Sequence, residues 1–123
     1  LKYLKQKKYR VALATSSQTP TAERNLTRAG VRSTFDAVIG GDQVEHGKPA
    51  PDIYLKAARA IGCLPADCAV VEDSFNGVRS AHAAGMYPIM VPDLEKPDAE
   101  MQKLAAAIVP SLADVPAVLE ARA

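Results

Sequence analysis

The stretch VVEDSFNG, residues 70–77, joins a short apolar run to two adjacent carboxylates and a turn. Because the run AVV is apolar without alternation, it is typical of a strand that is buried on both faces. Successive side chains of a strand point to opposite faces, so Glu72 and Asp73 can converge on one ligand only where the chain leaves the strand. A solvated turn explains the pair, and so does a divalent cation. Mg²⁺ suits such a site, since it takes few carboxylates and keeps waters while it contacts a substrate phosphate.

Strand-like runs and helical patterns alternate along the rest of the chain. The predicted strands cover residues 10–15, 35–41, 68–73 and 87–91, with a short last strand at 107–112, and the predicted helices cover 20–30, 51–62, 77–85 and 98–107. This alternation predicts an α/β fold, a parallel sheet with helices on both faces. In such sheets ligands bind beyond the carboxyl ends of the strands. The residues that follow each strand are therefore the candidates for chemistry.

Length and composition predict one globular domain over residues 1–123. Of the 123 residues, 48% are hydrophobic and 24% are charged, and the formal net charge is +1. This balance favours neither nucleic acid nor a membrane surface as a partner, and no apolar segment approaches the ~18 residues of a membrane span. Cys63 and Cys68 match neither a zinc pair nor a redox motif, so we predict reduced thiols and a cytoplasmic location.

The end of the first predicted strand is rich in hydroxyl groups. The residues TSSQTP, 15–20, lead directly into a predicted helix. Hydroxyls and free backbone N–H groups at a helix N-terminus form an anion site, which the helix dipole strengthens. Ser and Thr are also favoured there as plain helix caps. This segment is therefore either a phosphate site or a capping cluster.

A lysine follows the second predicted strand, in the loop GGDQVEHGKPAPDIY, residues 40–54. Lys48 precedes Pro49, which biases its backbone toward an extended conformation. The loop is bounded by glycines and prolines, so Lys48 is either a cation held in a fixed direction or an ordinary exposed lysine. Taken with the hydroxyl-rich helix start and the acid pair, a fixed lysine completes a site for a phosphoryl group and its Mg²⁺.

In this order and at these spacings, the residues resemble the haloacid dehalogenase-like superfamily of phosphohydrolases. The likeness is strongest to the branch that contains phosphoglycolate phosphatases, sugar-phosphate phosphatases and β-phosphoglucomutase, and it covers residues 11–112. VALATSS resembles the family's second motif, GKPAPDIY the third and VVEDSFNGVRSAHAAGM the fourth. The resemblance implies a Rossmann-like core and a Mg²⁺-dependent phosphatase that acts on a small phosphorylated metabolite, such as a sugar phosphate or a phosphoglycolate-like compound.

The resemblance also implies roles for individual residues. Thr15 would bind the transferring phosphoryl group through its hydroxyl, with the Ser16 amide beside it. Lys48 would neutralise charge on the phosphoryl group and on the nucleophile. Asp73 would ligate Mg²⁺, with Glu72 binding it directly or through water.

Two further hydroxyl residues, Ser17 and Thr19, fall where relatives contact their substrates. The family's other specificity elements lie on a separate cap domain.

One family motif is missing from these 123 residues. The first motif, a DxDxT-like run, supplies the nucleophilic aspartate and a second acid, and the sequence contains no Asp-x-Asp. The chain therefore looks like the second half of such an enzyme, with residues 1–9 as the end of the helix that returns from cap to core. The missing motif would end the central strand of the sheet, so we expect unpaired strand edges, self-association and no catalysis by the chain alone.

Three interpretations of function stay open from the sequence. A phosphatase is the leading one, and a phosphomutase is the close alternative, because the core motifs do not separate the two. The third is an inert fragment that binds Mg²⁺ and phosphate. A phosphoacceptor receiver is disfavoured, because a receiver's acid pair comes first in the chain and its lysine last, whereas here the order is Thr15, Lys48, then Glu72 and Asp73.

Overall fold

Helices and strands alternate along the chain as the sequence predicts. The computed structural model describes residues 2–93 and 96–122. Its elements in chain order are α1 (Lys2–Gln6), β1 (Ala12–Ala14), α2 (Thr19–Arg28), β2 (Ala37–Ile39), α3 (Asp52–Ala60), β3 (Ala69–Glu72), α4 (Phe75–Ala83), β4 (Tyr87–Met90), α5 (Ala99–Leu104), β5 (Ala107–Ile108) and α6 (Val115–Arg122).

All strand pairing in the described part of the chain is parallel, and the strands form two separate groups. β1 pairs with β2, and β3 pairs with β4, which in turn pairs with β5. The predicted parallel α/β fold is confirmed. Within residues 2–93 and 96–122 no ladder joins β1 to β3, which is where the sequence predicts a missing central strand.

Helices cover both faces of the three-stranded group. Ile89 and Met90 are successive residues of β4, so their side chains point to opposite faces, and both are fully buried. Ile89 packs with Val115 and Leu119 of α6. Met90 packs with Val78 of α4 and with a methionine of α5. The layered arrangement explains why β4 is apolar without alternation.

A third core cluster connects the two strand groups. Ile39 of β2 and Val70 of β3 both belong to it, together with the buried side chains of α3 and α4. The helix α3 therefore packs across the place where β1 and β3 are not paired. The loop that precedes α3 carries Lys48, so this packing brings the lysine toward the end of β3.

Several element boundaries differ from the predicted ones. The first helix ends at Gln6 rather than extending over residues 1–9, and Lys8 has a left-handed backbone with φ of 62°; Leu1 lies outside the described residues. α4 begins at Phe75, two residues early, because the Ser74 hydroxyl caps it by accepting a hydrogen bond from the Gly77 N–H. A cap of this type fixes where a helix starts.

The described helices are short. None of them combines the length and the apolar character that a bilayer span requires.

Candidate active site

Lys48 and Glu72 form a shielded ion pair at the carboxyl ends of the strands. Lys48 Nζ lies 2.8 Å from Glu72 Oε2, and the two side chains are only 12% and 11% exposed. Lys48 sits in the loop after β2, and Glu72 is the last residue of β3. The contact therefore joins the ends of two strands that belong to different sheets. An ion pair this well shielded is screened little by salt.

The Glu72 carboxylate accepts further hydrogen bonds on both oxygens. Oε2 also accepts from the Tyr54 hydroxyl at 2.5 Å. Oε1 accepts from the Asp73 N–H at 3.1 Å and from the Ser74 N–H and hydroxyl at 3.3 and 3.2 Å. An ionised carboxylate has about four lone-pair positions, so a direct bond from Glu72 to a metal would have to replace one of these contacts.

The charges of the acid pair follow from these contacts. Burial alone would raise the pKa of the Glu72 carboxyl, but hydrogen bonds from Lys48 and Tyr54 outweigh burial and lower its pKa to about 2. The neighbouring Glu72 carboxylate raises the pKa of Asp73 above its ordinary value. Burial, and then the charge of Glu72, raise the pKa of the Tyr54 hydroxyl, which stays protonated and donates. A bound cation would relieve the repulsion at Asp73.

A hollow of about 320 Å³ lies beside Lys48. Ser16 and Gln18 from the β1–α2 loop line it on one side, and Asp42 and Lys48 line it on the other. The two loops approach closely because Gly41 has no side chain; a Cβ there would lie 2.6 Å from the Ser16 carbonyl oxygen. The predicted Ser16 and Lys48 therefore share one hollow.

Thr15 and Ser17 shape the loop on the β1 side of this hollow. The Thr15 N–H donates to the Ile39 carbonyl at 3.0 Å, which continues the β1–β2 pairing to the strand end. The Thr15 hydroxyl accepts a hydrogen bond from the Ser17 N–H at 3.2 Å. Its own proton is left to donate to another group. Ser17 is exposed, as a residue that contacts substrate would have to be.

Thr19 is engaged in contacts within the protein. Its hydroxyl donates to Asp42 Oδ1 at 2.8 Å and accepts from the Gly40 N–H and from the Gln43 amide. Asp42 Oδ1 also accepts the Thr19 N–H at 2.6 Å. One donor and two acceptor positions fill the capacity of a hydroxyl, so in this arrangement Thr19 ties α2 to the end of β2. A substrate contact by its hydroxyl stays a prediction.

Asp73 faces a second hollow of about 340 Å³, which it shares with Glu72 and Asp93. No group of three His, Cys, Asp or Glu side chains that could enclose a metal occurs in residues 2–93 and 96–122. Mg²⁺ does not need such a group, since it is held by one or two carboxylates with waters and phosphate oxygens. The exposed Asp73 carboxylate fits that donor set as one protein ligand.

Two residues of the site were missed by the sequence analysis. Tyr54 lies in GKPAPDIY on the buried side of α3, where the helical pattern indicates a core residue. A buried tyrosine hydroxyl needs a hydrogen-bond partner, and that requirement was the available signal. Asp42 lies in a loop, and its contact with Thr19 joins residues 23 positions apart, a separation that no local sequence pattern covers.

The chain was compared with known families and structures. Residues 1–85 match the model of the haloacid dehalogenase-like hydrolases. The chain is 45% identical over 81 residues to the fructose-1-phosphate phosphatase of Escherichia coli. The aligned region covers 66% of this chain and 43% of that protein. It is 39% identical over 89 residues to the phosphorylated carbohydrates phosphatase of Thermotoga maritima. The aligned region covers 72% of this chain and 41% of that protein.

The fold comparison agrees with the family match. A crystal structure from Thermotoga maritima assigned as a β-phosphoglucomutase superposes with a TM-score of 0.83 and 34% identity over 97% of this chain and 56% of that one. The chain thus spans about half the length, or less, of the relatives it matches. The similarity extends through the strand ends on which the acid pair, the lysine and the hydroxyl-rich loop lie.

Proposed function

Because this chain belongs to the haloacid dehalogenase-like hydrolases, we propose that it forms the phosphoryl-binding core of a Mg²⁺-dependent phosphatase for a small phosphorylated metabolite. One observation carries the proposal. The Lys48 ammonium is held 2.8 Å from Glu72 in the wall of a hollow that it shares with Ser16. A fixed cation opposite a loop that enters a helix is suited to bind a phosphoryl group.

The chain's own residues position the group that is transferred. The Thr15 hydroxyl and the Ser16 N–H donate to phosphoryl oxygens, and Lys48 neutralises their charge and that of the attacking carboxylate. Phosphoryl transfer depends mostly on positioning and on charge stabilisation, so these three contacts account for much of what the core has to supply. Ser17 lies next to them in position to contact the rest of the substrate.

Asp73 is the proposed Mg²⁺ ligand. Its carboxylate is exposed toward the second hollow, whereas the Glu72 oxygens are occupied by Lys48, Tyr54 and the turn. Glu72 therefore contributes mainly by holding Lys48, and it would contact the cation through water or in exchange for one of these hydrogen bonds. When bound, Mg²⁺ supplies positive charge for the phosphoryl oxygens.

The nucleophile is proposed to lie in a part of the protein that precedes Leu1. The sequence contains no Asp-x-Asp, and the chain covers about half of its relatives. In the proposed reaction an aspartate oxygen bonds to phosphorus while the substrate's alcohol leaves and takes up a proton. Water then hydrolyses the aspartyl-phosphate and releases inorganic phosphate. A covalent intermediate divides one difficult displacement into two easier ones.

The proposed substrate class is a sugar phosphate. The names of two relatives, a fructose-1-phosphate phosphatase and a phosphorylated carbohydrates phosphatase, support this class. The hollow beside Lys48 is lined by Gln18 and Asp42, whose side chains can hydrogen-bond hydroxyl groups.

Isothermal titration calorimetry tests the binding part of the proposal. Inorganic phosphate with Mg²⁺ should bind the chain, and Lys48→Ala should weaken phosphate binding at least tenfold. Lys103→Ala is the matched control, because Lys103 is an exposed lysine of α5. Equal phosphate affinity in Lys48→Ala and the wild type would overturn the assignment.

An activity assay separates catalysis from binding. The chain alone should release no phosphate from fructose 1-phosphate above background, because its nucleophile is absent. A form of the protein that includes the Asp-x-Asp segment should hydrolyse the ester and lose activity on Asp73→Asn. Binding without turnover in that longer form would identify an inert phosphate-binding module instead.

A phosphomutase is the second candidate, favoured by the likeness to the structure assigned as a β-phosphoglucomutase. Phosphorus-31 NMR of a hexose monophosphate incubated with the longer form decides between the two. A phosphatase produces inorganic phosphate, whereas a mutase moves the phosphoryl group to another hydroxyl of the sugar.

A further inference from the structure

Tyr54 contacts both members of the ion pair at the site. Its hydroxyl donates to Glu72 Oε2 at 2.5 Å, the same oxygen that accepts from Lys48. The Lys48 ammonium lies 5.0 Å from the centre of the Tyr54 ring, within the range in which an aromatic face attracts a cation. The tyrosine is 6% exposed and belongs to α3, so its position is set by the core.

We propose that Tyr54 is a positioning residue for Lys48. A lysine side chain is a flexible four-carbon stem that bears a point charge, and one ion pair leaves it several rotamers. Here the ring of Tyr54 limits the ammonium on one side, while its hydroxyl fixes the oxygen that the ammonium binds. The two contacts come from one rigid side chain.

The other oxygen of Glu72 explains why the tyrosine hydroxyl matters. Oε1 is held by the backbone and hydroxyl groups of the turn at residues 73 and 74. Rotation of the carboxylate about this anchor moves Oε2, and with it Lys48. Of the two groups that contact Oε2 within residues 2–93 and 96–122, the Tyr54 hydroxyl belongs to a side chain of the core cluster. Gly77 leaves room for the carboxylate, since a Cβ at that position would overlap it.

The consequence for the site rests on the proposed function, in which Lys48 faces the phosphoryl group. Tyr54→Phe keeps the ring and removes the hydroxyl. The Glu72 carboxylate then loses one of its two Oε2 contacts, and Lys48 leaves its position more often. The net contribution of one typical intramolecular hydrogen bond is enough to change such an equilibrium about three- to tenfold.

Amine-selective acetylation of the chain, followed by mass spectrometry, measures this change. We expect Lys48 to be acetylated about three- to tenfold faster in Tyr54→Phe than in the wild type, with Lys103 unchanged as the internal standard. Tyr9→Phe is the matched control, since Tyr9 follows α1, far along the chain from the site, and is 37% exposed. Equal Lys48 rates in Tyr54→Phe and the wild type would overturn the proposal.

Inorganic phosphate with Mg²⁺ adds a second readout. In the wild type, phosphate should protect Lys48 from acetylation, and Tyr54→Phe should raise the half-protecting phosphate concentration by a similar factor at a temperature at which both proteins are fully folded. If phosphate does not protect Lys48 while Tyr54→Phe still speeds its acetylation, the positioning role stands and the proposed function fails. If phosphate protects both proteins equally, the positioning role fails alone.

A measurement on the wild type covers the case in which Tyr54→Phe does not fold. The Tyr54 hydroxyl proton should be observable by NMR as a slowly exchanging signal with cross-relaxation to the Lys48 ε protons. Fast exchange of that proton with water would contradict the hydrogen bond on which the inference depends.

Discussion

At the scale of single residues, the site depends on one carboxylate that is placed precisely. The Glu72 carboxylate accepts hydrogen bonds from Lys48, from Tyr54 and from the turn at residues 73 and 74. Its neighbour Asp73 faces a different hollow. The two acids that are adjacent in sequence therefore differ in environment, and this difference allows one of them to hold Lys48 while the other is available to a cation.

Gly77 provides the first prediction at this scale. Replacement of glycine by alanine inside a helix normally stabilises it by ~1 kcal/mol. In α4 a Cβ at residue 77 would overlap the Glu72 carboxyl group, so Gly77→Ala should instead destabilise the chain by about 1–3 kcal/mol. Urea unfolding followed by circular dichroism measures the difference. Gly47→Ala is the control, because a Cβ there meets nothing within 4 Å, and an effect of the same sign and size in both variants would contradict the prediction.

The pH dependence of stability follows from the lowered pKa of Glu72. Its pKa falls from an ordinary value of 4.5 in the unfolded chain to about 2 in the folded one. Stabilisation by this group is therefore complete above about pH 4.5 and is lost as the pH falls toward 2. The free energy of unfolding of Glu72→Gln should be lower than that of the wild type at neutral pH. This difference in free energy should shrink as the pH falls from about 4.5 toward 2. Glu45→Gln, which changes an exposed loop acid, should leave the pH dependence unaltered.

The sequence predicts the chemical groups of the site better than their contacts. The strand-end positions of Ser16, Lys48 and Asp73 follow from local patterns, because apolar runs and turn residues mark where strands stop. The pairing of Glu72 with Lys48 and Tyr54 spans 24 and 18 positions. Such contacts depend on how α3 packs against β3, which no local pattern encodes.

At the scale of elements, the loop that carries Lys48 is held from behind by α4. The Ser80 side chain is fully buried, and its hydroxyl donates to the Ala50 carbonyl at 2.5 Å. Ala50 lies two residues after Lys48, between Pro49 and Pro51. The helix that begins at the acid pair therefore also fixes the loop that delivers the lysine.

Ser80→Ala should weaken this connection. The substitution leaves the half-buried Ala50 carbonyl without its hydroxyl donor, and the loss of one intramolecular hydrogen bond costs about 0.5–1.5 kcal/mol. We expect a loss of stability in that range by urea unfolding, together with faster amide hydrogen exchange in residues 47–51. Ser33→Ala, at an exposed position, should change stability by less than ~0.5 kcal/mol. Unchanged exchange in the loop would count against a role for α4 in holding it.

Helices and strands that are marked by their own sequence were predicted more accurately than the one that depends on distant contacts. The central parts of β1 to β4 and of α2 to α4 agree with the predicted runs, since each is marked by its own apolar spacing and by a glycine or a cap. α6 was not predicted. Its core contacts are to Ile89 of β4, and Tyr3 of α1 donates to Glu120 at 2.9 Å. A helix that is defined by contacts to α1 and β4, both distant along the chain, has little signal in its own 8 residues.

At the scale of the whole molecule, two strand groups are connected by helices and by the Lys48–Glu72 ion pair. Ile39 and Val70 share a core cluster with α3 and α4, and the Lys48–Glu72 contact joins the strand ends. Within the described residues β1 has β2 as its neighbour and β3 has β4. In the described part of the chain β1 and β3 each therefore have one side without a partner strand.

Self-association through these edges is the prediction at this scale. In the described part of the chain β3 lacks a partner strand on one side, and its Val71 is 45% exposed, whereas Val70 before it is 8% exposed. An unpaired strand that presents apolar side chains to solvent tends to pair with other chains. Sedimentation velocity should show association that increases with protein concentration. Val71→Lys should weaken it at least tenfold, because a charged side chain on an edge strand opposes pairing. Leu64→Lys makes the same change at a residue that is 70% exposed outside the strands and should leave association unaltered. A wild-type monomer at every concentration, with a cooperative transition at high temperature, would show that the β1 and β3 edges are closed within the chain itself.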